Sequence, residues 1–411
     1  MFRKVFVLAL GLMALTSTAV ASAPPADGAR DNVGNEKWAV LLCRFADSPT
    51  AKPFPVADYD AAFNTADKSH RRFFKQSSYG QLMISADVYS WRKIKDRSFY
   101  PGDYLSHGEA FLHDLFRACT KKHDDRVDFS QYEGVIMFFD DRELDISDGT
   151  ACGFGDTCTD DRTIGVSGYA WSDLRIKKMD GHRGWRTVWM ATHGSAHNEV
   201  TAHEISHTYG APHSAAGADD AFDDECFPVG PPACGHPWDL MASSWLGIPP
   251  DSHTLAATKV FHHGWISGAR RCNVTTDGTE TFELERLALA RDNDRCLAIT
   301  ILQPGTTDAW YVVEARFRKG FDADSSDAFP GGGIPGPAVL ISRICFEEPF
   351  CTQEPMVVGR DISPQDGQID EGSAEWQAGE TFVNFNGQIT IEILSRGTGF
   401  YTVRVTRDSS P

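Results

Sequence analysis

Residues 200–213 run Val-Thr-Ala-His-Glu-Ile-Ser-His-Thr-Tyr-Gly-Ala-Pro-His, and this spacing admits one local geometry above all others. His203 and His207 stand four residues apart, so they share a face only if the segment is helical, and Glu204 then points beside them. The helix expected over about residues 199–209 ends at Gly210, because a residue without Cβ takes the left-handed turn that closes a helix at little cost. That turn carries His213 back toward the first two imidazoles. Three nitrogen ligands leave the fourth position of a tetrahedral ion open, the ligand set of a catalytic zinc rather than a structural one.

The chemistry follows from the residue types. A zinc ion at His203, His207 and His213 would bring a water toward neutral pKa, and Glu204 would act as general base and then as acid toward the leaving nitrogen of a peptide bond. No covalent acyl intermediate is required. HExxH alone recurs by accident, but with 36 Gly and 14 His in 411 residues the further match at Gly210 and His213 makes chance rarer by about 300-fold. One catalytic zinc is expected.

Residues 1–21 read as a secretory signal: Arg3 and Lys4, an apolar run from Val5 to Leu15, then Ala19-Val20-Ala21. Residues 22–36 are rich in Ala, Pro, Gly and Asp and read as a flexible lead-in. A secreted product, extracellular or periplasmic, is expected. The ten cysteines agree with export, and sequential pairing is the expectation: Cys43/Cys119, Cys152/Cys158, Cys226/Cys234, Cys272/Cys296 and Cys345/Cys351. Connectivity does not follow from spacing alone.

The formal charge of −18 becomes −20 once Arg3 and Lys4 leave with the signal, which argues against a nucleic-acid partner. No later stretch is apolar enough for stable membrane insertion. Acidic loops at Asp219-Asp220 and Asp223-Asp224-Glu225 offer oxygen ligands that suit calcium, without EF-hand spacing. Composition leaves the oligomeric state open.

Hydrophobic patterning divides the chain. Apolar runs at residues 38–45 and 135–139 read as buried strands, and residues 59–76 and 108–121 carry helical spacing. Strands alternating with helices predict an α/β (α+β) unit with a mostly parallel sheet over residues 37–268. From 269 to 411 the period changes to two, at residues 281–285, 310–317, 389–394 and 400–405, which predicts an all-β, sandwich-like C-terminal domain. Residues 185–190, ahead of the zinc helix, read either as an edge strand open to a substrate peptide or as an ordinary core strand.

The 203–213 segment resembles the signature of the metzincin zinc peptidases. In that family a Met-containing turn floors the metal, and Trp238-Asp239-Leu240-Met241-Ala242-Ser243, beginning shortly after His213, looks like it; Met241 would be the floor. Residues 70–82 and the pair formed by Trp265 and residues 311–316 are similar to segments of the immune inhibitor A-like and gametolysin-like peptidases, and His213 brings the chain nearer the gametolysin-like group. The resemblance implies a metzincin-type catalytic domain with zinc on a long helix, and a protein or peptide substrate. Two departures stand out. Ser243 occupies the place where several metzincins put a zinc-contacting Tyr, and fewer than 20 residues separate the signal from the first core strand, too few for a propeptide of the usual kind. The rival reading is a secreted binding or adhesion protein with an inactive zinc site, which the intact Glu204 disfavours.

Overall fold

The computed structural model describes residues 32–48, 54–100, 104–140, 186–191, 198–217, 238–242, 254–323, 334, 336–346, 353–359 and 374–410. The signal, the acidic loops, Ser243 and Cys152, Cys158, Cys226, Cys234 and Cys351 lie outside them.

The first apolar run becomes β1 (Gly34–Arg44), which begins inside the expected lead-in, so residues 34–36 are strand rather than linker. β1 pairs in parallel with β2 (Leu82–Lys93) on one side and β3 (Gly134–Phe139) on the other, and β4 (Arg186–Ala191) adds in parallel to β3. Parallel strands need covered crossovers, and β1 is apolar on both faces for that reason. Ala39, Leu41, Cys43 and Phe45 point to one side, against Leu112, Leu115, Phe116 and Cys119 of α3 (Tyr104–His123). Trp38, Val40 and Leu42 point to the other. There they meet Tyr59 of α1 (Val56–Asp60), Phe63 of the π-helical turn that continues it, Phe73 and Phe74 of α2 (His70–Ser77), and Ala202 and Ile205 of α4 (Asn198–His207). A Cys43–Cys119 disulfide ties α3 to the central strand. Expected strand 185–190 is β4, buried over residues 186–190 and paired through β3.

After the site the chain forms β5 (Ala215–Gly217) and later α5 (Ala256–Phe261). Among the described residues nine strands follow residue 268: β6 (Arg271–Val274), β7 (Gly278–Glu285), β8 (Ala298–Leu302), β9 (Trp310–Arg316), β10 (Ala338–Ile344), β11 (Met356–Val358), β12 (Thr381–Val383), β13 (Ile389–Gly397) and β14 (Phe400–Arg407). They build a six-stranded sheet, β5-β11-β10-β9-β8-β6, and a four-stranded sheet, β12-β13-β14-β7. Alternate residues of both sheets, among them Tyr311, Val313, Ile341, Ile391, Tyr401 and Val403, form one shared core, so the two sheets face each other. Cys272–Cys296 closes a second disulfide, and Cys345 is also disulfide-bonded. The fold is thus mixed α and β, mostly sheet.

The two halves interlock across residue 268. β5 belongs to the first half by sequence and pairs in parallel with β11 of the second. α5 lays Ala256, Ala257 and Val260 on Leu297, Ala298, Val312 and Ile344, so the six-stranded sheet is covered on both faces. This is why β9 reads as a nearly unbroken buried run.

Candidate metal centre

α4 carries His203, Glu204 and His207 and ends as its sequence predicts. Gly210 sits at φ +86°, its N–H donates to the His207 carbonyl at 2.9 Å, and the Ala211 N–H donates to the Ser206 carbonyl at 3.2 Å. This pair of bonds is a Schellman closure, and it reverses the chain within three residues. No heavy atom lies within 4 Å of the site a Cβ would take on Gly210, so the glycine is there for its dihedral and not for space.

The helix end is held from outside too. The Arg186 guanidinium donates to the Thr208 carbonyl and stacks over the Tyr209 ring at 4.3 Å. Tyr209 donates its hydroxyl to Glu36 at 2.6 Å, and Asn32 donates its amide to the Tyr209 carbonyl at 2.9 Å. A cation and an amide on the last carbonyls suit the negative end of a helix. Arg186, Glu36 and Asn32 escaped the sequence reading, since each sits in a strand or lead-in far from the motif.

The three histidines converge. His207 Nε2 lies 3.0 Å from His203 Nε2 and 3.2 Å from His213 Nε2. Ligands about 2.1 Å from a tetrahedral ion stand roughly 3.4 Å apart, so the spacing is within a few tenths of an ångström of a zinc site. The outer nitrogens fix the tautomers: His203 Nδ1 lies 2.8 Å from the Leu240 carbonyl and His207 Nδ1 lies 2.7 Å from the Ala211 carbonyl. A carbonyl can only accept, so each Nδ1 carries the hydrogen and each Nε2 presents its lone pair inward. Burial keeps the His207 and His213 rings neutral, as metal binding requires. It holds the His213 pKa down to about 4, and burial together with the neighbouring His203 and His213 holds that of His207 well below its ordinary value. Neutral imidazoles whose lone pairs meet at one point fit a bound cation.

Glu204 is buried beside them on the same helix, three residues before His207 and hence next to it on the helix surface. Met241 is fully buried with Ala202, Ile205, Tyr209, Ala211 and Leu240, so its turn does lie against the metal helix. The turn is braced at three points: the Met241 N–H donates to Asp239 Oδ1 at 3.1 Å, the Ser214 N–H donates to the Met241 carbonyl at 3.0 Å, and Leu240 receives His203 as above. The structure thus brings His203, His207 and His213 together, with Glu204 on the same helix and the Met241 turn packed against that helix.

Among the described residues one other group has metal-ligand proximity, Cys43, Cys119 and His123. Its two sulfurs are bonded to each other, and His123 Nε2 faces the Leu42 carbonyl at 3.3 Å, so it is a disulfide with a packed histidine.

No family model and no curated protein matches the sequence. Among solved structures, the chain is similar to wild-type OgpA from Akkermansia muciniphila in two crystal forms, at 14% identity and a TM-score of 0.29, over 89% of this chain and 94% or 95% of that chain. A likeness of that size carries nothing about activity.

Proposed function

We propose that this chain is an exported, zinc-dependent endopeptidase of the metzincin kind, cutting peptide bonds in protein or peptide substrates. The observation that carries the reading is the meeting of the Nε2 atoms of His203, His207 and His213, the first two on rings whose Nδ1 is tied to a carbonyl, beside a buried Glu204 on the same helix as those two. His203, His207 and His213 would hold the ion. When bound, zinc supplies Lewis acidity and lowers the pKa of water at its open position.

The chain's own residues do the rest. Glu204 accepts a proton from the attacking water as its oxygen adds to the peptide carbonyl carbon. The C–N bond then breaks, and Glu204 returns the proton to the departing amine nitrogen. The carbonyls of Leu240 and Ala211 hold His203 and His207 in the tautomer that keeps their inner lone pairs free. Met241 and its apolar neighbours pack against the helix that carries His203 and His207. In this reading the parallel-sheet half is the catalytic domain and the facing sheets after residue 268 form the C-terminal β domain. Residues 1–21 are its export signal, and the two disulfides suit an oxidising compartment.

Metal analysis of the chain purified with zinc present tests it. One zinc per chain, and peptide cleavage lost with a chelator and regained with zinc, is the expected result. A chain that binds no zinc refutes the reading.

A further inference from the structure

β9 alternates sharply. Tyr311, Val313 and Ala315 enter the core between the facing sheets, whereas Glu314 and Arg316, both fully buried, emerge on the other face toward α5 and the Met241 turn. A buried guanidinium is kept only where all its donors are met, since losing its hydration is costly. Arg316 finds its acceptors across the two halves of the molecule. Its Nε and Nη2 grip both oxygens of Asp322 at 2.8 and 2.6 Å, and its Nη1 donates to Glu314 at 3.0 Å and to the Trp238 carbonyl at 2.6 Å.

The Asp322 clamp fixes the plane of the guanidinium, so the direction of Nη1 toward Trp238 is fixed as well. Trp238 opens the turn whose third residue, Leu240, accepts from His203. Between them Asp239 Oδ1 accepts from the N–H groups of Met241, at 3.1 Å, and Leu255, at 3.3 Å, while Glu314 accepts from the N–H of Ala256. The turn, the start of α5 and β9 are thus one hydrogen-bonded block, with a histidine of the metal centre at one end and a strand of the C-terminal sheet at the other.

We propose that Arg316 is a positioning residue for the metal centre: the six-stranded sheet, through Arg316 and the Trp238 carbonyl, sets the turn that orients His203 and thereby sets metal affinity. This rests on the zinc reading above. It gives the β half a part in the metal chemistry, although every residue the motif supplies precedes residue 268.

The test uses the full chain. Arg316→Lys keeps the charge beside Asp322 and Glu314 but loses the planar fork, and Val403→Ala weakens the core between the sheets without touching the turn. Zinc affinity is read by chelator competition at a temperature where each protein is folded, and ligand geometry by the visible absorption of the cobalt(II) form. Loss of a group that orients a metal ligand costs about 10–100-fold in affinity, so Arg316→Lys should bind zinc at least ~10-fold more weakly with an altered cobalt spectrum, and Val403→Ala should match wild type. A second measurement needs no variant: in the wild type, removing zinc should speed amide hydrogen exchange in β9 and at Leu255 and Ala256, while β13 stays unchanged. Folded Arg316→Lys with wild-type affinity and spectrum overturns the proposal, as does an exchange response confined to residues 203–213 and 238–242. A wild type that binds no zinc is a different result, and it refutes the zinc reading itself.

Discussion

At the scale of single residues the site is a problem of tautomers. His203 and His207 each spend one ring nitrogen on a carbonyl, and that leaves a lone pair pointing at the same small volume as His213. Removing one imidazole leaves two ligands, too few to hold zinc firmly. His207→Ala should therefore lose the metal itself, with a zinc content near zero after dialysis against buffer, while the fold persists because α4 is also anchored by Ala202 and Ile205. Retention of a full zinc equivalent would remove His207 from the ligand set. The convergence of these three rings was legible because side-chain chemistry, helical periodicity and a glycine all agreed within eleven residues. The partners of the histidines were not legible, since Leu240 and Ala211 act through backbone oxygens that no side-chain motif records.

Among elements, β1 and β3 show how tightly the parallel sheet is set. Gly134 opens β3 opposite Trp38, and a Cβ there would stand 2.5 Å from the indole ring. Neither strand can shift without breaking a ladder that runs on to β2 and β4. Gly134→Ala should destabilise the protein by about 1–3 kcal/mol or more, read as a lower denaturation midpoint, and an unchanged midpoint would mean that Trp38 has room to move. β1 and β3 were readable as apolar runs, and β7, β9, β13 and β14 from their period of two. β2 was harder, because its second half is partly exposed and carries Tyr89, Arg92 and Lys93 where an apolar alternation should continue. Arg316 left a trace in the sequence, as Glu314 and Arg316 are two charges at strand spacing inside an apolar run. Their partner, the Trp238 carbonyl, lies 78 residues away and could only be found in space.

Across the whole molecule, the halves share a sheet and a buried ion network, so stability should respond as one unit. Buried histidines outside the metal-centre trio bear on its acid limit, His70 and His123 among them. Burial lowers the pKa of His70 to about 3 and that of His123 to about 4, against an ordinary value of 6.5. Between those values the unfolded chain binds protons that the folded chain refuses. Their contribution is fully present above pH 6.5 and is lost as the pH falls toward 4. With metal removed, the thermal midpoint of the wild type should drop over that range, and His70→Phe, which keeps a ring against Phe63, should drop less steeply. Equal slopes would show that His70 is not kept neutral by burial.

Metal binding and turnover should separate at Glu204. Glu204 neighbours His203 and His207 on the helix and is not one of the three proposed ligands, so Glu204→Gln keeps the side chain's size and removes only its basicity. The decisive measurement is digestion of a denatured protein mixture by the purified wild-type and Glu204→Gln proteins, each checked for bound zinc, with new termini counted by mass spectrometry. The wild type should cut at internal peptide bonds, and the variant should carry the same zinc yet cut ~10³-fold more slowly or worse, at the upper end of what a general base contributes. Near-wild-type cleavage by zinc-loaded Glu204→Gln would contradict the mechanism.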